Sequence, residues 1–89
     1  MAFEFNFSVG TAAQALTGVP SVFDSVLLEN NSGAASIAVT FDGSTPVVNG
    51  AGFTIAPLGS LTWRPPLNAP VTLTAVSSAA ATPLSVLVD

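Results

Sequence analysis

The chain contains no cysteine, histidine, lysine or tyrosine, and only 7 % of its 89 residues are charged. Without cysteine no disulfide and no thiolate zinc site can staple the fold, and the redox compartment cannot be read from the sequence. Without histidine, lysine or cysteine the usual general bases, amine and thiol nucleophiles and imidazole metal ligands are missing, so catalysis would fall to carboxylates and hydroxyls alone. Arg64 is the single cation against Glu4, Asp24, Glu29, Asp42 and Asp89, a net charge of −4. Nucleic acid and anionic membrane are therefore excluded as expected partners, because neutralising phosphates takes several basic side chains.

Long apolar runs are also missing. The uncharged stretches from Gly43 to Trp63 and from Pro65 to Val88 are long enough to span a bilayer. Pro46 and Pro57 interrupt the first and Pro65, Pro66, Pro70 and Pro83 the second, with Ser, Thr, Asn and Gly throughout, so both read as successive short strands. Met1-Ala2-Phe3-Glu4 has neither a basic start nor an apolar segment of signal-peptide length, so export by that route is not expected.

What is present is a small, neutral, β-patterned chain. A single domain over residues 1–89 is expected, and a chain of this size buries roughly 60–65 % of its unfolded surface. An ordinary soluble domain carries about 25 % charged residues. The surface of this one must consist largely of Ser, Thr, Asn, Ala and Gly, which is either a neutral polar β surface in water or a surface covered by other subunits; the composition favours the second.

Alternation places the strands. Phe3, Phe5, Phe7 and Val9 alternate with Glu4, Asn6 and Ser8, giving an amphipathic strand with three rings on one face. It serves either as a sandwich strand at an edge or as an arm exchanged with a neighbouring subunit. Gly10 to Pro20 breaks the pattern and reads as a loop with at most one helical turn around Ala12 to Leu16. Val22 to Glu29 is the next strand, with Val26 and Leu28 on one side and Leu27 on the other, which suits a central strand or a covered outer face. Ile37, Val39 and Phe41 alternate with Ser36, Ala38, Thr40 and Asp42. Asn30-Asn31-Ser32-Gly33 supplies turn chemistry between them, so Ser25 to Gly43 is expected to form a hairpin. Val47-Val48 before Asn49-Gly50, then Phe53 to Ile55, Ser60 to Arg64, Val71 to Val76 and Leu84 to Val88 complete the series. Pro57-Leu58-Gly59-Ser60 and Pro65-Pro66 close two of these strands. Seven to eight short strands without a credible helix predict an all-β fold, a small antiparallel β-sandwich or barrel of jelly-roll-like type.

Few residues could carry chemistry. Asp24 and Asp42 would lie at the open end of the expected hairpin, where a carboxylate pair can act as acid and base or bind calcium; two solvated acids at strand ends is the plainer reading. Gly50-Ala51-Gly52 lacks the lysine and helix of a nucleotide loop and reads as a turn. Asn6-Phe7-Ser8 and Asn30-Asn31-Ser32 match the glycosylation pattern by chance, given no export signal. Trp63-Arg64-Pro65-Pro66 joins the only tryptophan to the only cation, the residue types in which interfaces concentrate their energy. The plainer alternative puts Trp63 in the core with Arg64 lying along apolar surface. Trp63 could also stack on a sugar ring. The candidate interface is Phe3, Phe5, Phe7, Leu27, Trp63 and Arg64; no catalytic, cofactor or metal residue is expected.

Three stretches carry a resemblance: Val26-Leu27-Leu28-Glu29-Asn30-Asn31-Ser32-Gly33, Ile37-Ala38-Val39-Thr40-Phe41-Asp42-Gly43 and Ile55-Ala56-Pro57-Leu58-Gly59-Ser60-Leu61. A strand ending in an Asn-rich turn, a strand ending in Asp-Gly and a Pro-x-Gly turn before a strand resemble the small β-rich virion proteins of tailed bacteriophages that decorate or cement capsids or line tails. The resemblance implies a non-enzymatic virion protein without cofactor, made in the host cytoplasm. It further implies a homo-oligomer, with a trimer as the expected state, sitting on the major capsid protein or another virion protein. Lambda-type decoration proteins carry a longer Pro- and Thr-rich amino-terminal arm, and this chain begins with a strand, which turns the expectation toward a jelly-roll sandwich. The alternative is a fibre or tail-tip module that recognises a carbohydrate or surface receptor.

Overall fold

The computed structural model describes residues 3–65 and 70–89; Met1, Ala2 and Pro66 lie outside them. The described residues form eight strands: β1 (Phe3–Val9), β2 (Gln14–Ala15), β3 (Val26–Asn30), β4 (Ile37–Thr40), β5 (Phe53–Ile55), β6 (Ser60–Trp63), β7 (Thr74–Ser77) and β8 (Thr82–Val88). Antiparallel pairing joins β1 to β8, β2 to β7, β3 to β6 and β4 to β5. Those are the pairings of one long hairpin with β4 and β5 at its tip. Rolling that hairpin up brings β3 beside β8 and β4 beside β7, which completes two four-stranded sheets of order β1-β8-β3-β6 and β2-β7-β4-β5. This is the jelly-roll strand order. A parallel bridge between Asp42 and Thr72 extends the second sheet at its end.

Alternation decides what fills the space between the sheets. In the first sheet Phe5, Phe7 and Val9, then Leu84, Val86 and Val88, then Val26 and Leu28, then Leu61 and Trp63 share the inward face by register. Ile37, Val39, Phe41, Ile55, Leu73 and Ala75 meet them from the second sheet in one buried cluster. The outer face of the first sheet is polar apart from Leu27, Leu87 and Pro83, and a hydrogen-bonded chain crosses it. Asn31 Nδ2 donates to Ser85 Oγ at 2.7 Å and Ser85 Oγ donates to Asn6 Oδ1 at 3.0 Å. The surface of 4762 Å² is close to the roughly 4,800 Å² expected of a folded monomer of this mass, so the core is complete within one chain.

Four expectations are corrected. β3 and β4 do not form a hairpin: they lie in different sheets, and residues 31–36 cross between them. Asn30 holds that crossing. It sits on the inward phase after Val26 and Leu28, fully buried, and its Nδ2 donates to the carbonyls of Ala35, Ile55 and Ala56 at 2.7, 3.2 and 3.2 Å while Oδ1 accepts from Ser32 N at 3.0 Å. A buried amide so engaged ties the crossover to the end of β5, which a turn within one sheet could not do. Second, the segment around Ala12 to Leu16 holds the short strand β2 rather than a helical turn, because Gln14 and Ala15 pair with Ala75 and Thr74. Third, the strand expected from Val22 begins only at Val26.

The fourth concerns Val47-Val48 and Asn49-Gly50, which form a turn without flanking strands: Gly50 N donates to Val47 O at 2.8 Å and Val47 N to Ala51 O at 2.9 Å. This loop doubles back over the second sheet, where Thr40 Oγ1 donates to Ser44 O and Asn49 N donates to Thr54 Oγ1. It explains why β4 is buried on both faces, Ala38 included. Gly52 makes the close approach possible; with φ at 91°, a Cβ there would stand 2.5 Å from Val39 O. The two-faced apolar strand β3, by contrast, is central between β8 and β6.

Candidate functional site

Register places Phe3, Val88, Val26 and Trp63 in one row across the first sheet, so its two edges, β1 and β6, present Phe3 and Trp63 at the same end of the sandwich. A distinct surface has formed at each edge.

At the β1 edge a cleft of about 270 Å³ is lined by Phe3, Pro20, Val22, Phe23, Asp24, Val88 and Asp89. Val22 is 74 % exposed and Phe3 56 %. The segment before β3 is anchored by Asp24 N and Ser25 N donating to Asp89 O and by Asp89 N donating to Ser25 O, which fixes Val22 and Phe23 beside the end of β8. The corner is thus apolar with two acids at its rim. Beside it β1 pairs with β8 through seven continuous positions and carries no proline, lysine or bulge on its open side. Gln14 Nε2 donates to Ser8 O there, at 3.4 Å.

At the β6 edge the mouth between the sheets is closed by aromatic rings. Trp63 from β6 and Phe41, just past β4, stack with centroids 3.9 Å apart and planes 5° from parallel; Phe53, on β5, tilts against Phe41 at 5.6 Å. Phe41 is buried, Trp63 half-buried and Phe53 47 % exposed. They line a cleft of about 310 Å³ with Thr40, Asp42, Ser44 and Gly52. Asp42 Oδ1 accepts from Ser44 Oγ at 2.5 Å and from Ser44 N at 3.0 Å. The Ser44 hydroxyl, and after it the Ser44 backbone N–H, hold the Asp42 carboxyl below its ordinary value.

The candidate interface residues divide. Phe5 and Phe7 pack half-buried against the core, Phe3 stands out at the corner, and Leu27 is half-buried on the outer face of the first sheet opposite Leu87 and Thr62. Trp63 belongs to the aromatic mouth, and Arg64 beyond it is exposed without an ion pair among the described residues. Asp24 and Asp42 line different clefts, one at each edge, so they are not brought together as the two strands of a hairpin would bring them. Among the described residues no group of three or more acids is arranged to hold a metal ion, and no helix is long and apolar enough to cross a membrane. A further groove of about 390 Å³, between the 45–48 segment and Val76 to Ser78, has no charged or aromatic side chain in its lining.

Sequence patterning missed the grouping of Phe41, Phe53 and Asp42 with Trp63, because it comes from three strands of two sheets. The one available signal was that Phe41, Phe53 and Trp63 each sit at the end of an inward-facing alternation. The chain matches no family model and no curated protein.

Proposed function

We propose that this is a non-enzymatic structural protein of a phage virion, a decoration or cement protein that docks on the major capsid protein lattice or another virion protein and stabilises it. The observation that carries the reading is the apolar corner of Phe3, Pro20, Val22 and Phe23 beside a seven-residue edge strand whose single charge is Glu4. Natural sheets blunt a long edge with charged side chains, lysine above all, with proline or a bulge, or cover it; β1 has Glu4 alone and no lysine, proline or bulge. A nearly uncharged surface and the absence of histidine, lysine and cysteine support the same reading.

The mechanism is mechanical. A stable interface covers about 800 Å² on each partner, roughly one sixth of the 4762 Å² available. The proposed contact takes in the corner and the β1 edge, and Asp24 at its rim favours a partner carrying basic side chains. One such side chain is in the protein itself: Arg64 at the β6 edge of one copy faces the Asp24 corner of the next in a head-to-tail arrangement. Heterologous contacts of this kind form a ring where the rotation between copies closes and an open filament where it does not, and the trimer is the ring proposed here. Docking many copies on a shell then stabilises it by mass action, since the lattice cannot open without releasing them.

The test is binding to particles stripped of the protein. Wild type should co-sediment with them at saturating copy number, whereas Val22→Asp, which places a charge on an exposed position outside the core, should not. Equal occupancy by wild type, Val22→Asp and Phe3→Ala would remove the corner as the docking surface.

A further inference from the structure

The aromatic mouth at the β6 edge has a chemistry that the virion reading does not use. We propose that the cleft of Phe53, Trp63 and Asp42 is a binding site for a neutral pyranose sugar. The inference stands apart from the capsid reading and rests on a different edge of the molecule.

Four observations carry it. Phe41 backs the indole in a parallel stack at 3.9 Å, so the ring plane of Trp63 is fixed before any ligand arrives. Phe53 adds a second apolar surface that is nearly half exposed. Asp42 lines the same cleft, and its Oδ1 accepts from both Ser44 Oγ and Ser44 N, bonds that set the carboxylate's orientation and do not use Oδ2. At about 310 Å³ the cleft is at the small end of the roughly 300–1,000 Å³ range of ligand sites, which suits one or two sugar rings.

A pyranose fits these features because it is amphipathic in the same sense. One face presents C–H groups that pack on aromatic carbon, and its rim presents hydroxyls that donate to a carboxylate in charge-assisted hydrogen bonds. Other ligand classes fit less well. A quaternary ammonium needs aromatic walls around it, and a parallel pair at 3.9 Å leaves no space between its rings. An anionic ligand would meet the Asp42 carboxylate and a net charge of −4.

Trp63 is the only tryptophan, so its fluorescence reports on this cleft alone. The experiment titrates the full chain with methyl glucoside, methyl galactoside and N-acetylglucosamine, with choline chloride alongside. A saturable spectral change with at least one of the sugars, at a Kd of about 1 mM, is expected. Loss of one charge-assisted contact should weaken it at least about tenfold in Asp42→Asn, and Phe53→Ala should weaken it comparably, with circular dichroism unchanged in both. Asparagine keeps an oxygen for Ser44, so the turn survives that substitution. No saturable change with any sugar up to about 50 mM, a response unaltered in both variants, or saturation by choline alone would each overturn the proposal.

Discussion

The two edges of the first sheet end in the same row of residues and yet present opposite kinds of surface. At the β1 edge Phe3 and Val22 are exposed, with no ring stacked on Phe3 among the described residues, and the strand beside them offers backbone groups. At the β6 edge Trp63 is backed by Phe41 from the other sheet, and a carboxylate is fixed in the cleft they share. The difference follows from what the second sheet supplies at each edge. Near β6 the chain leaving β4 continues inward through Phe41, whereas no aromatic side chain of the second sheet stacks on Phe3 among the described residues. An unbacked apolar side chain suits a broad partner that can mould to it; a backed ring beside an oriented acid suits a small ligand of fixed shape.

Substitutions should separate the edges by stability as well as by binding. The largest effect is expected at Trp63→Ala. Truncating a buried aromatic costs about 3–5 kcal/mol, and with Trp63 half-buried but stacked a loss of about 3 kcal/mol is expected in urea denaturation. Phe3→Ala at the opposite edge should cost less than about 1 kcal/mol. Equal losses would show that the corner is packed like the mouth and is no free surface.

Asn30→Ala should break both edges at once. It removes the Asn30 donor from the carbonyls of Ala35 and Ile55, while Ala56 O keeps the Gly59 N–H, and unsatisfied buried polar groups cost about 1–3 kcal/mol each. Partial relaxation of the loop should bring the total to about 3 kcal/mol, visible as a lowered Tm. A loss below about 1 kcal/mol would mean the crossover is held by other contacts.

Much of this was legible in the sequence, and the errors have a common cause. The inward phases of Phe3 to Val9, Ile37 to Phe41 and Leu84 to Val88 follow from local alternation, which is set by the strand's own geometry. Pairing partners are not local. Asn30-Asn31-Ser32-Gly33 has the turn chemistry of a hairpin, but the same residues serve a passage between sheets, and only the inward phase of Asn30 hinted that it would be buried. Asp42 invited comparison with Asp24 across an imagined hairpin; the rolled chain places it instead beside Trp63, 21 positions later. The β4–β5 loop that covers Ala38 had no periodic signature at all.

Asp42 sharpens the contrast by pH. Its carboxyl is held below the ordinary value by Ser44 in the folded chain. Whatever stability this brings is present above the ordinary aspartate pKa and is lost as pH falls through the lowered value, with the charge on the cleft lost in the same range. Sugar binding should therefore persist at pH about 4, where an ordinary aspartate is half protonated, and fall only in more acid solution. In Ser44→Ala the fall should move to higher pH, as fluorescence titrations at several pH values would reveal, while the mass of the species in solution should be unchanged by that substitution.

The smallest effect is expected at Leu58, a 74 % exposed residue held at φ 60° in the Ala56–Gly59 turn, where Gly59 N donates to Ala56 O. A left-handed conformation costs a branched residue about 1 kcal/mol, and glycine relieves it at some cost in unfolded-state entropy. Leu58→Gly should leave stability unchanged or raise it by about 0.5 kcal/mol; a clear loss in denaturation would mean the Leu58 side chain makes a stabilising contact.

The central claim, that the β1 corner and Arg64 join copies of this chain, is tested most directly by the absolute mass in solution, from light scattering coupled to size exclusion. The account predicts a discrete species of about three times the 8.9 kDa chain mass, and a monomer for both Val22→Asp and Arg64→Glu. Wild type remaining at the mass of one chain at every concentration, or a trimer indifferent to both substitutions, would contradict it.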